Sequence, residues 1–362
     1  MKDKIKMVFV GLRFGLEVLR RDYLNPTVAE PGLEVIGVCD LDVKKAQAAG
    51  KELNLKVYTS LEDVLNDSSV DAVGLFTGPA GRAGLIRRII RAGKHVMTTK
   101  PFEVNAEAAL DVLKEAKELK KVVHLNSPGP LPASETEQIL QWTHEYDLGR
   151  PVSFYWETYA SYFQKADGLW YDDSEKCPVA PIFRLGIYGI NQIIRLCGSI
   201  DEVGVVYSRI RTGRPTPDNA LLSLKFKNGV VGSIHASFCV NNGILYPDEL
   251  ILHYERGTIR VTAVESDANG EMSVKQVSLQ AVDAEGKMIT REVRFDLKVL
   301  TGKYQWGNFY KAVKSELPLH GEIIPEQIVA GIQVINAMAE AEKTGRNVKI
   351  MEPASLQEVP CK

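Results

Sequence analysis

Apolar and polar positions alternate on two different periods along this chain. In the first third, short apolar runs rich in β-branched residues recur at Ile5–Val10, Glu34–Cys39, Asp71–Thr77, His95–Thr99 and Val122–Asn126. Between them lie helical patterns at Val43–Leu53, at Leu61–Leu65 behind a Ser60/Asp63 capping box, at Arg82–Arg91, and at Asn105–Lys120 with Asn105 as cap. Continuous apolar strands separated by helices predict a parallel sheet covered on both faces. Such sheets bind ligands beyond the carboxyl ends of their strands.

The character changes after Asn126, where SPGPLP (Ser127–Pro132) breaks the pattern. A dinucleotide-type domain over 1–126 and a second domain over 127–362 are expected, with the option that the final helix packs back on the first. A helix at Ser134–Tyr146 precedes the alternating VSFYWETYASYF (Val152–Phe163). The polar stretch Asp167–Pro181, with Trp170 and Tyr171, reads as a loop over a pocket. It leads into FRLGIYGINQIIRLCG (Phe183–Gly198), an apolar helix that carries Arg184, Tyr188 and Asn191 near one face. Two period-two runs flank Asn228-Gly229, a hairpin signal. Further alternating runs continue through GTIRV, a turn at Asp267–Gly270 and Ile289–Val299. Helices at Tyr304–Ser315 and Pro325–Lys343 and a short NVKIM strand close the chain. The fold class is α/β: an N-terminal Rossmann-type parallel sheet plus a C-terminal α+β domain with a large, mostly antiparallel sheet. Helices cover one face of that second sheet, and the other is open to water or a second subunit.

Composition narrows the function. The 362 residues are 45% hydrophobic and 25% charged with a net charge of -2, which points to neither nucleic acid nor a membrane surface. No apolar stretch reaches the roughly 20 residues of a membrane helix. MKDKIKMVFVG reads as a first strand rather than a signal sequence. Five cysteines are scattered without a C-x-x-C pair, and six histidines show no ligand spacing. A cytoplasmic protein with reduced thiols and no metal site is expected.

The first strand runs into VGLRFG, where Gly11, Arg13, Phe14 and Gly15 form a glycine turn one residue shorter than the G-x-G-x-x-G fingerprint. Such a turn offers backbone N–H groups to a pyrophosphate. Asp40, ending the second strand, suits the adenosine ribose hydroxyls and repels a 2′-phosphate. NAD is therefore preferred to NADP, although Lys44 and Lys45 leave some room for the phosphate. His95 and His124 lie on apolar strands and read as structural.

Taken in order, VCD (38–40), FTGPAGRAG (76–84), GKHVMTTKPF (93–102), the Arg184–Asn191 helix, GTIRV and AEKTGRNV resemble the glucose-fructose oxidoreductase / inositol dehydrogenase / MocA family along nearly the whole chain. FTGPAGRAG stands in place of that family's T-P-N-x-x-H loop, which implies Thr77, Gly78 and Pro79 as cofactor neighbours. GKHVMTTKPF stands in place of G-K-H-V-x-x-E-K-P, so Lys100 maps onto the family lysine near the nicotinamide, and Thr99 replaces its glutamate. The D-x-G-x-H-x-x-D motif becomes Arg184, Gly186, Tyr188 and Asn191. Tyr188 stands at the proton-exchanging position, as in the branch with glucose-fructose oxidoreductase and the dihydrodiol dehydrogenases. The resemblance implies a nicotinamide-dependent enzyme acting on a CH–OH group, and a homodimer or homotetramer formed through the C-terminal sheet.

Chemically, a tyrosine with an ordinary pKa of about 10 is a weak base at neutral pH, and nearby cations favour its phenolate. Arg184 and Lys100 are such cations, or they bind an anionic substrate group, arginine by its bidentate fork. A sugar or polyol substrate comes first and an acidic sugar derivative second. Asn126, Asn191 and Trp170 are candidate substrate contacts. Two alternatives stand beside the dehydrogenase. One is a non-catalytic dinucleotide- and metabolite-binding regulator. The other is an NAD-dependent lyase or glycosidase without net redox change.

Overall fold

The computed structural model describes residues 4–25, 29–125, 134–161, 165–244, 247–266, 273–297, 306–316 and 325–351. Asn126, the SPGPLP segment, the turn at Asp267–Gly270 and Tyr304 lie outside the described residues. The chain forms two compact units, Met1–Leu131 with Gly302–Val329, and Pro132–Thr301 with Ala330–Lys362. The chain therefore passes between units three times, where the sequence marks a single handover at its proline-rich break.

In the first unit, β1 (Ile5–Val10), β2 (Leu33–Cys39), β3 (Lys56–Tyr58), β4 (Ala72–Leu75), β5 (His95–Thr98) and β6 (Val123–Leu125) pair in the order β3-β2-β1-β4-β5-β6. Every pair is parallel. All four residues of β4 are buried, as expected of a strand covered on both faces. The helices are α1 (Phe14–Val18), which runs into a π-helical turn at Leu19–Tyr23, α2 (Val43–Leu53), α3 (Leu61–Asn66), α4 (Arg82–Arg91) and α5 (Ala106–Glu118). Ser60 Oγ accepts the Asp63 N–H and Asn105 Oδ1 accepts the Ala108 N–H, the two caps expected from sequence. On α4, Ala83, Ile86, Ile89 and Ile90 are buried, a stripe at helical spacing that faces the sheet. Each buried isoleucine contributes about 1.5–3 kcal/mol relative to exposure.

Helix α8 (Trp306–Val313) belongs to this unit for a visible reason. Trp306 and Phe309 are fully buried in one core with Phe9, Leu19 and Val35. The Trp306 ring lies 5.9 Å from Phe9, which in turn stacks on Phe76 at 5.2 Å.

The second unit is built on a nine-stranded sheet. It contains β7 (Pro151–Tyr159), β8 (Ile200–Ser208), β9 (Asn219–Phe226), β10 (Val231–Ser237), β11 (Asp248–Tyr254), β12 (Gly257–Ser266), β13 (Ser273–Val282), β14 (Met288–Leu297) and β15 (Val348–Lys349). The order is β14-β13-β12-β11-β7-β10-β9-β8-β15, antiparallel except between β7 and β10. Strict alternation along β9 leaves Ala220, Leu222, Leu224 and Phe226 buried and the residues between them outward. Gly229 has φ +92° in the tight turn joining β9 to β10, where the Asn-Gly pair foretold it. Helices α6 (Ser134–Glu145) and α7 (Ile187–Cys197) belong to this unit, as does α9 (Pro325–Thr344) from Ala330 onward. Lys275 Nζ on β13 reaches Glu135 of α6 at 2.8 Å and Asp248 of β11 at 2.7 Å, tying the helix to the sheet.

Candidate functional site

The strand order reverses between β1 and β4, and the chain turns out of both strands at their carboxyl ends. Gly11 has φ +90°, and a Cβ there would lie 2.9 Å from the backbone carbonyl of Phe76. Only glycine fits that turn. Its N–H donates to Cys39 O at 2.9 Å, fastening the turn to the end of β2. At Gly15 a Cβ would meet the Phe76 ring at 3.1 Å, so this glycine lets α1 lie close against the end of β4. Gly11 thus serves as the turn glycine and Gly15 as the packing glycine. Between them Leu12 is buried, Arg13 is exposed and Phe14 is half-buried, its ring edge-on to Phe76 at 6.5 Å.

Asp40 is held from two sides. Its Oδ2 accepts the Leu12 N–H at 2.6 Å and its Oδ1 accepts the Asp42 N–H at 2.9 Å. The glycine turn and the end of β2 are thereby fixed to each other. Asp42 caps α2 by accepting the Lys44 and Lys45 N–H groups. Two carboxylates therefore stand at the corner where a 2′-phosphate would have to sit, an electrostatic penalty for that group.

Beyond β4, Thr77 leads into exposed Gly78 and buried Pro79. The Thr77 Oγ1 atom is buried with no hydrogen-bond partner among the described residues. A buried hydroxyl left alone is costly, and a polar ligand at this crevice would satisfy it. With the Gly11 turn and the Asp40 carboxylate, this orphan makes the unit fit a dinucleotide. At the end of β5, Thr98 Oγ1 donates to Leu75 O at 2.8 Å, and beyond it Thr99 is buried and Lys100 is half-buried before a cis Lys100–Pro101 peptide.

Two residues of this region were not singled out by sequence. Arg82, at the start of α4, donates to the carbonyls of Thr77, Thr99, Pro101 and Phe102. Glu103 accepts from Gly81 N at 3.2 Å, Ala83 N at 2.8 Å and Val104 N at 2.8 Å, so it caps α4 from the segment after β5. The one sequence signal was an arginine where the resembling family has histidine.

In the second unit, the structure changes the geometry expected for the Arg184–Asn191 stripe. Residues Ile182–Gly186 form a π-helical turn, and α7 begins only at Ile187. A π turn is wider than an α turn, so the spacing of Arg184 and Tyr188 around the axis departs from that of a regular α-helix. The Arg184 guanidinium lies over the Tyr171 ring at 4.1 Å and the Phe238 ring at 4.9 Å. Trp170 packs on Tyr171 at 4.0 Å and edge-on to Phe183 at 6.3 Å. Their loop is pinned by the Asp172–Arg214 ion pair at 2.5 Å and by the Thr216 hydroxyl donating to Tyr171 O at 2.9 Å. Arg184, Tyr171 and Trp170 are thus brought together. Tyr188 is half-buried among buried neighbours. Asn191 instead donates to Ile187 O of its own helix at 2.8 Å, and a Cβ at Gly331 of α9 would come within 2.7 Å of its Oδ1.

The two strand histidines lie within the sheet of the first unit. His95 Nδ1 accepts the Val122 N–H at 3.0 Å, and burial holds the His95 pKa down to about 4. His124 sits against Phe309 at 5.9 Å, and burial likewise lowers it to about 4. Among the described residues, no cluster of three or more His, Cys, Asp or Glu side chains is placed to hold a metal ion. No helix of the described residues is long and apolar enough to cross a membrane.

A six-stranded parallel sheet in this order, with a glycine turn after β1 and a carboxylate after β2, defines a dinucleotide-binding unit of the Rossmann type. The model of the oxidoreductase family with an NAD-binding Rossmann fold matches residues 5–127, and that of the GFO/IDH/MocA C-terminal domain matches 136–260. Together they take in more than half of the chain, which belongs to the Gfo/Idh/MocA family, as the ordered motifs implied. Its first unit is an NAD-binding Rossmann fold.

Among curated relatives, inositol 2-dehydrogenase of Salmonella typhimurium is 32% identical over 125 residues, 34% of this chain and 36% of that enzyme. The chain thus spans little more than a third of that relative. D-apiose dehydrogenase of Paraburkholderia graminis is 23% identical over 263 residues, 70% of this chain and 68% of that enzyme. Among solved structures, an NAD-binding protein from Listeria innocua superposes with a TM-score of 0.73 at 21% identity, covering 99% of this chain and 100% of that one. That likeness shows the shared fold.

Proposed function

We propose that this protein is an NAD-dependent oxidoreductase that moves a hydride between the nicotinamide and a CH–OH carbon of a sugar or polyol. The observation that carries the reading is Lys100. It lies two residues beyond the carboxyl end of β5, within a unit whose Gly11 turn, Asp40 carboxylate and orphaned Thr77 hydroxyl suit a dinucleotide. The relatives named for inositol and D-apiose support the substrate class.

Bound NAD supplies the hydride acceptor. In this reading the Lys100 ammonium donates a hydrogen bond to the substrate oxygen and stabilises the charge that grows there as the C–H bond breaks. In oxidation the Tyr188 phenolate accepts the hydroxyl proton as the hydride leaves, and in reduction the phenol gives it back. Trp170 offers a ring face to the sugar, and Cys39, Cys197 and Cys239 carry free thiols, which suits a reducing compartment such as the cytoplasm. A homodimer or homotetramer would form through the open face of the second sheet, where Val206 is 72% and Val231 51% exposed.

An acidic sugar derivative is a second reading, favoured by Arg184. Its guanidinium lies over the Tyr171 ring at 4.1 Å and the Phe238 ring at 4.9 Å, and an arginine fork in such a setting suits a carboxylate.

The test is NADH formation with polyols, pentoses and hexuronates, using wild type and Lys100→Met. Turnover in Lys100→Met falls about a hundredfold or more while NADH affinity holds. Full turnover in that variant would remove Lys100 from the mechanism. A hexuronate preferred over the matching neutral sugar, and lost in Arg184→Met, would select the acidic class.

A further inference from the structure

We propose that Arg82 is a positioning residue for the nicotinamide half of the site, fixing the loops after β4 and β5 relative to each other. The inference rests on the reading of Lys100 above only for its kinetic arm.

Arg82 is 1% exposed. Full burial of a guanidinium is rare and is tolerated when its donors are satisfied. Here the two terminal nitrogens donate to main-chain carbonyls from two loops far apart in sequence, Thr77 on one side and Thr99, Pro101 and Phe102 on the other. The planar fork of arginine holds both loops in one geometry, whereas a lysine is a point charge on a flexible stem. Glu103 makes the reverse connection, from the segment after β5 to the backbone N–H groups that open α4. The two loops are therefore cross-braced in both directions.

What they carry decides the function of the brace. One loop bears the orphaned Thr77 hydroxyl with Gly78 and Pro79, and the other bears Thr99 and Lys100. In a sheet of this order each βαβαβ half takes one nucleotide of the dinucleotide. Asp40 marks the β1-β2-β3 half as the adenosine side, which leaves β4 and β5 for the nicotinamide. The carbonyls that Arg82 reaches in these bonds all follow β4 or β5, on the nicotinamide side. Its loss should therefore separate the two ends of the cofactor, which a general loss of structure does not do.

The experiment titrates the full-length protein with NADH and with ADP-ribose, which lacks the nicotinamide, in wild type, Arg82→Lys and Arg82→Gln. Arg82→Lys weakens NADH about tenfold, the worth of one charge-assisted hydrogen bond, and leaves ADP-ribose within about twofold. Equal weakening of both ligands, or weakening of neither, overturns the proposal. Thermal melting of each variant with and without ADP-ribose confirms that the adenosine side is folded, and if Arg82→Gln fails to fold, Arg82→Lys decides alone.

A second arm measures turnover in the Arg82→Lys, Lys100→Met and double variants. The Arg82→Lys loss, about a hundredfold for an ångström of misplacement, disappears when Lys100 is already gone. Additive losses would mean that Arg82 does not act through Lys100. Full turnover in Lys100→Met alone would defeat the mechanism above, and the NADH and ADP-ribose comparison would still decide the role of Arg82.

Discussion

Replacing Gly11 by alanine tests the turn on which the dinucleotide site is built. Its φ of +90° costs an L-residue about 1–2 kcal/mol. The new Cβ would also lie 2.9 Å from the main-chain carbon and oxygen of Phe76. Those atoms end a fully buried strand and have no rotamer to move into, so overpacking adds about 1–3 kcal/mol. The sum of about 2–5 kcal/mol is a large share of a domain's usual 5–15 kcal/mol and leaves the protein folded at 25 °C. Relief comes from shifting the turn, which pulls Leu12 N–H away from Asp40 and alters the path offered to a pyrophosphate. Differential scanning calorimetry should show Gly11→Ala melting several degrees lower, and fluorescence titration should show NADH weakened at least about tenfold. Gly15→Ala is the control, because its Cβ would meet the Phe76 side chain at 3.1 Å rather than main-chain atoms at 2.9 Å and its backbone is not left-handed, and it should lose less on both counts. Gly11→Ala that melts and binds NADH like wild type would refute this reasoning.

Two further outcomes follow from the same unit. Asp40→Ser removes the carboxylate that accepts Leu12 and Asp42 N–H groups, so NADH weakens and the NADPH to NADH affinity ratio rises about tenfold; an unchanged ratio would show that Asp40 does not discriminate. His124 is held neutral in the fold, with its pKa lowered to about 4 against about 6.5 unfolded. The unfolded chain then binds more protons between those values, so stability falls as pH drops from 6.5 towards 4 and gains nothing from this group above 6.5. The melting midpoint of wild type should fall relative to that of His124→Leu across that acid window, and a constant offset down to pH 4 would contradict the buried neutral histidine.

The first unit was readable because its signals are local. Unbroken apolar runs gave two-sided strands, Ser60 and Asn105 sit immediately before the helices they cap, and Gly11 and Asp40 stand where each strand ends. The Asn228-Gly229 hairpin was legible for the same reason. Features that depend on distant partners were hidden. Nothing near Arg82 says that it answers to carbonyls beyond β5, or that Glu103 caps a helix some twenty residues upstream. The return of α8 to the first unit is decided by what Trp306 packs against, and amphipathic periodicity carries no such address. The parallel β7–β10 pair is equally silent, since alternation is the same for either strand direction. At Ile182–Gly186 the sequence permits a continuous α-helix, and the π turn that replaces it alters what Arg184 faces. Asn191, polar in an apolar helix, gives no sign in the sequence of its bond to Ile187 O.

The central claim is hydride transfer from a substrate carbon to the nicotinamide. Its most direct test supplies NAD and a polyol or sugar deuterated at the oxidised carbon to the wild-type protein, and weighs the reduced cofactor by mass spectrometry. The account predicts one deuterium on the nicotinamide of released NADH, formed in step with the ketone or lactone product. Product formed with no deuterium ever reaching the cofactor would contradict it.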